Sequence, residues 1–154
     1  MRLPPEGPLA LFGFLYHFVW EMWQIPFYNE MMAAAHWDGV VFCTQASIGD
    51  AAIVVMCYWG VSVFFGRNWV NRPHLREVIV FMVFGVLTTI VLEKVNTGIG
   101  RWRYSLGMPK IPLIGVGVIP IIQWVVAIPM ILFTTARFLR GGEKRYEERV
   151  IGEG

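Results

Sequence analysis

His17 and Glu21 stand four residues apart in the stretch YHFVWEMWQIPFYNE, residues 16–30, and Gln24 and Tyr28 follow at steps of three and four. On a helix that spacing puts all four on one face. A histidine beside a carboxylic acid is a proton-donating and proton-accepting pair. Set among apolar residues it suits general acid-base work on a lipophilic substrate. Two further acids, Asp50 and Glu93, also lie inside apolar runs. Three carboxyl groups in one low-dielectric space cannot all be charged cheaply, so at least one is expected to hold its proton. The competing reading is a structural network in which these groups lock helices together through hydrogen bonds.

The candidate catalytic set is therefore His17, Glu21, Asp50 and Glu93. Gln24, Tyr28, Gln45, Trp102, Gln123 and Trp124 are the candidate ligand contacts. Gln123 can donate or accept a hydrogen bond, and Trp124 can offer a π face to a cation, although lipid-facing packing would also account for the indole. His17 and Glu21 could share one metal ion, but a metal centre wants three or four ligands, usually with more than one histidine. His36 is expected in an outer loop and His74 on the opposite side. No metal and no other cofactor is assigned.

Such a set needs elements that can carry it through lipid. Of the 154 residues 56% are hydrophobic, with a positive mean hydropathy of +0.53, which marks an integral membrane protein. Four segments, about 8–28, 39–65, 77–95 and 113–139, each reach the roughly 20 residues needed to cross an apolar core of about 30 Å. Short loops between them predict antiparallel neighbours, giving an all-α four-transmembrane-helix bundle over 1–140 with an intramembrane pocket. Residues 141–154, GGEKRYEERVIGEG, read as a mobile cytoplasmic tail. The apolar run near the N-terminus continues unbroken to Tyr28, so it reads as a first span and not as a cleaved signal.

Basic residues orient the bundle. Arg2, Arg67, Arg72, Arg76, Arg137, Arg140, Lys144, Arg145 and Arg149 fall on one side, and Lys94, Arg101, Arg103 and Lys110 on the other. Nine against four predicts a multi-pass protein with both termini in the cytoplasm. At the helical rise, His17 and Glu21 then lie about 14 and 20 Å above the cytoplasmic edge, while Asp50 and Gln123 lie about 17 and 15 Å below the outer one. Glu93 stops about 6 Å short of that outer edge. Polar residues from four helices thus converge between the midplane and the outer leaflet.

The remaining residues have plainer readings. Cys43 and Cys57 are about 21 Å apart along one helix, too far to bridge, and read as small buried residues. Asp38 is expected to cap the second span. Glu30 is either pocket rim or solvated surface. The loop GIGRWRYSLGMPKIP is either an interfacial anchor or a lid or anion clamp over the pocket mouth. Gly115, Gly117, Pro120 and Pro129 predict kinks in the fourth span near Gln123 and Trp124. The small net charge of +2, spread over loops, argues against nucleic-acid binding. The expected partners are a hydrophobic small-molecule or lipid ligand and the surrounding membrane lipids, with a homodimer also allowed.

YHFVWEMWQIPFYNE resembles the first core helix of the emopamil-binding protein family, the sterol double-bond isomerases and their sigma-two receptor relatives. The likeness lies in His17 and Glu21 with three residues between them, Trp23 soon after, and an aromatic pair leading to Glu30. Asp38 and Cys43 fall at similar spacing in the second helix, Glu93 ends the third, and Gln123, Trp124 and Pro129 resemble the fourth. The resemblance implies a lipid-facing pocket where a carboxyl-histidine set protonates a ring double bond and removes a neighbouring proton. His17 and Glu21 would handle the protons, Glu93 would be a second acid, and Trp124 would stabilise the carbocation. The chain departs from the family's pattern at Gln45, where an acid is usual, and in the adjacency of Gln123 and Trp124. Glu93, Gly100, Trp102, Tyr104 and Pro112 are also similar to a pattern in membrane carotenoid hydratases and cyclases, which likewise protonate a carbon-carbon double bond.

The leading expectation is a membrane isomerase shifting a double bond in a sterol or isoprenoid-like lipid. A non-catalytic lipid-binding or trafficking protein with the same pocket, or a structural subunit of a membrane complex, are the alternatives.

Overall fold

The computed structural model describes residues 4–152, with side chains described as far as Glu143. Arg2 and the side chains of Lys144, Arg145 and Arg149, which entered the charge count, lie outside the described part. The described chain is all-helical: α1 (Glu6–Gln24), a short α2 (Asn29–Ala33), α3 (His36–Phe65), α4 (Leu75–Gly98) and α5 (Val118–Gly152). Single 3-10 turns lie at Ile25–Phe27 and Trp69–Asn71.

Local chemistry sets most of the ends. Pro8 falls in the first turn of α1, where a missing N–H leaves no bond unmade, and Glu6 complements the positive helix end. Pro26 stops α1, since it has no N–H to continue the ladder and its ring crowds the preceding turn. The predicted span 8–28 is therefore shorter at its far end, and Tyr28 is not on the same helical stripe as His17, Glu21 and Gln24. Gly66 closes α3 at φ +76°, a backbone conformation that favours glycine. His74 caps α4, with the Glu77 side chain accepting from the His74 N–H at 2.9 Å. Asp38 is not the cap of α3: Ala35 holds that position, and Asp38 sits in the first turn, where its charge favours the helix end. His36, exposed, is the first residue of α3 and not a loop residue.

Gly115 (φ +68°) and Gly117 precede α5, so the fourth long helix starts at Val118 and Pro129 is its interior proline. Beyond Arg140 the helix continues to Gly152, across the boundary that the sequence suggested for the tail.

Helices α3, α4 and the Val118–Glu143 part of α5 are long and apolar enough to cross a membrane. Around the bundle α1 packs on α3 and α5, and α4 packs on the same two helices. Two clusters fill the interior. One, at the end where α1 begins, holds Leu9, Val54, Tyr58, Val61, Trp69, Phe81, Ile128 and Leu132. The smaller one holds Tyr28, Met31, Cys43 and Met108 at the opposite end. Cys43 and Cys57 are both free and buried.

Candidate functional site

Between the two clusters lies a cavity of about 240 Å³. Helix α1 gives it Glu21 and Gln24, α3 gives Gln45 and Asp50, α4 gives Glu93, and α5 gives Gln123 and Trp124. Tyr28 and Trp102 line it from the segments that follow α1 and α4. His17 is not at the cavity wall but directly behind it, fully buried.

The heart of the arrangement is one amide nitrogen. Gln123 Nε2 lies 2.7 Å from His17 Nδ1, 3.3 Å from Asp50 Oδ2 and 3.4 Å from Glu21 Oε1. His17 Nδ1 and Asp50 Oδ2 are themselves 3.3 Å apart. An amide nitrogen has two hydrogens to give, and three acceptor positions face it. Because Nε2 can only donate, His17 Nδ1 at 2.7 Å is an acceptor and the imidazole hydrogen sits on its own Nε2, which leaves one amide hydrogen for Asp50 and Glu21. Gln24 Nε2 donates to the same Glu21 oxygen at 2.7 Å. The site thus gathers two carboxyl groups and an imidazole around one amide donor.

Trp124 walls this cluster. It is 1% exposed, and its ring centroid lies 5.0 Å from that of His17. A Cβ on Gly85 would run into the Trp124 ring, so the glycine is what lets the indole lie against α4. Two buried polar atoms of the site have no partner, His17 Nε2 and Gln24 Oε1. Each such atom costs about 1–3 kcal/mol, an expense that packing alone would avoid.

Glu93 is occupied differently. Tyr28 donates to Oε1 at 3.1 Å, and Trp102 donates to Oε2 at 3.3 Å. Tyr104 also donates to Oε2. Burial first, then this bond, raises the Tyr104 hydroxyl above its ordinary value, so it stays a donor. Three donors saturate one carboxylate, which ties the 99–117 loop and the turn after α1 to the end of α4. The loop is pinned further by Asn29 N–H to the Arg103 carbonyl (3.0 Å) and Ser105 N–H to the Phe27 carbonyl (2.9 Å). Arg103 Nε donates to Glu30 at 2.8 Å and its backbone N–H donates to the other oxygen at 2.7 Å, which holds the Glu30 carboxyl below its ordinary value. The loop therefore closes one end of the cavity.

Several lining residues were not singled out from the sequence. Thr89 and Asn96 are at helical spacing from Glu93, a signal that was legible. Tyr104, named in the sequence only for the loop pattern, does not line the cavity but pairs with Tyr28 in an isolated antiparallel bridge and donates to Glu93. Ile25, Met31, Phe42 and Ile53 supply apolar wall that composition could not separate from ordinary core. Among the described residues no group of three or more His, Cys, Asp and Glu side chains is placed to hold a metal ion.

No protein-family model, no curated protein and no solved structure matches this chain.

Proposed function

We propose that the protein is an integral membrane enzyme of the emopamil-binding type that shifts a carbon-carbon double bond in a sterol or isoprenoid-like lipid. The observation that carries the reading is the Gln123 amide held among His17, Glu21 and Asp50 at the wall of a largely apolar cavity. Glu21 delivers a proton to one alkene carbon, leaving a carbocation that the Trp124 face stabilises. Asp50, with the His17 imidazole 3.3 Å away, removes a proton from the neighbouring carbon, and the double bond re-forms one position along. Protons gained and lost balance, so no other reactant is needed. Glu93, saturated by its three donors, keeps the loop closed over the substrate.

In this reading α1 is the fourth span, and both termini are cytoplasmic. Leu11, Leu15, Val19 and Trp23, at steps of four, are exposed on its outer face, an apolar stripe suited to lipid. Its inward face holds the polar groups that lower its mean hydropathy.

The test is turnover of candidate unsaturated lipids in deuterated water. Incorporation of solvent deuterium at carbon, lost in Glu21→Gln with lipid binding kept, is the expected result. Binding with no incorporation by the unaltered protein would reassign the cavity to lipid binding or trafficking.

A further inference from the structure

Four basic residues gather at the cavity end, and they are not equally occupied. Arg103 is paired with Glu30, Lys94 Nζ donates to the Ile114 carbonyl at 2.9 Å, and Lys110 lies over the Tyr104 ring at 5.5 Å. Arg101 lies over the Trp102 ring at 5.8 Å, and its guanidinium has no ion pair and no hydrogen bond among the described residues. It is exposed, and among the described residues it is the only cation that lines the cavity. A guanidinium with an open edge is shaped for two-point binding of a carboxylate or phosphate.

The cavity's opening is legible in the same way. Gln45 and Gly49 of α3 and Leu92 of α4, the last 39% exposed, line the cavity and also face outward. It opens sideways between α3 and α4, and Arg101 lies in the loop that leaves α4. The interior wall carries Glu21, Asp50 and Glu93, which disfavour an anion at depth. A charged amphiphile then fits in one direction only, with its anion at the rim and its apolar body along Ile25, Phe42 and Ile53.

We infer that the ligand is a single-chain amphiphile with an anionic head, a carboxylate or a phosphate ester, which Arg101 holds at the rim while the chain passes between α3 and α4. This rests on the reading of the cavity as a lipid site but not on the proposed catalysis. The test uses the full chain in phosphatidylcholine nanodiscs, with tryptophan quenching by farnesyl phosphate and by farnesol as probes of one chain length. With affinities in mole fraction of bilayer, farnesyl phosphate should bind about tenfold more tightly. Arg101→Gln should erase that preference and leave farnesol unchanged, whereas Lys110→Gln, at an exposed cation of the same end that does not line the cavity, should keep it. Gly49→Trp, whose side chain would fill the opening, should weaken both probes, and millimolar inorganic phosphate should not displace the lipid.

Equal affinities, an equal loss in the Arg101 and Lys110 variants, or displacement by inorganic phosphate would each overturn the inference, pointing to bulk surface charge or to a free-anion site. Deuterium incorporation is scored separately. A head-group preference without it sinks the isomerase alone, and incorporation without a preference sinks this inference alone.

Discussion

At the end where α1 begins, Leu9, Val54, Val61 and Leu132 close around Tyr58, Trp69 and Phe81, and the rings meet at centroid distances of 5.7–6.0 Å. At the other end the same four long helices stand around a cavity, with carboxyl groups on three of them, four carboxamides on its wall and an imidazole behind it. The packed end supplies the close contacts that hold the helices in place. The cavity end instead brings polar side chains from all four long helices together beside apolar wall. Rigidity at one end allows incomplete packing at the other.

That contrast can be broken from either side. The largest effect is expected from Glu21→Gln, which should cut double-bond turnover by about 10²–10⁴-fold, the usual contribution of a positioned acid. Its thermal unfolding in detergent should match that of the unaltered protein, so a large drop in melting temperature would place Glu21 with the packing residues instead. Phe81→Ala should act in the opposite way, costing about 3–5 kcal/mol through the void it leaves. Chemical unfolding measures that loss, and lipid affinity at temperatures where the variant is folded should be nearly unchanged.

Gly85→Ala is expected to fall between the two, because Gly85 faces Trp124 at the boundary of the two ends. The added methyl displaces the indole, with a cost of about 1–3 kcal/mol for overpacking. It should also weaken ligand binding, which the fluorescence of the site tryptophans would report.

The smallest effect concerns the loop. Arg103 lowers the Glu30 carboxyl in the folded state, so the pair's contribution is present above the unfolded carboxylate value of about 4.3. It is lost as pH falls through the lower folded value. Hydrogen exchange in residues 99–117, corrected for the intrinsic rate, should therefore rise slightly below about pH 4. Glu30→Gln should show the faster exchange at every pH. An unchanged loop in that variant would mean that Glu93 and its three donors hold the loop alone.

By itself the sequence determined that the chain is helical and apolar enough for a membrane, because hydropathy and length are local sums that need no partner. It also determined that His17, Glu21 and Gln24 share a face, because helical spacing fixes direction within one element. The residues of α3, α4 and α5 were legible as buried polar outliers in apolar runs, which identifies them singly but does not join them. Tertiary structure decided that Asp50, Glu21 and His17 meet on one Gln123 amide, whereas Glu93 serves the loop. Which acid a donor reaches depends on helix rotation and on the path of the chain outside helices, and neither is carried by spacing. Tyr28 shows the difference most plainly. Pro26 takes it off the α1 stripe, and the turn that follows brings it back to the same cavity to donate to Glu93. Arg101 and Arg103 are alternate residues of one loop, and only the folded position of Glu30 decides that Arg103 is the one ion-paired to it while Arg101 lies over the Trp102 ring.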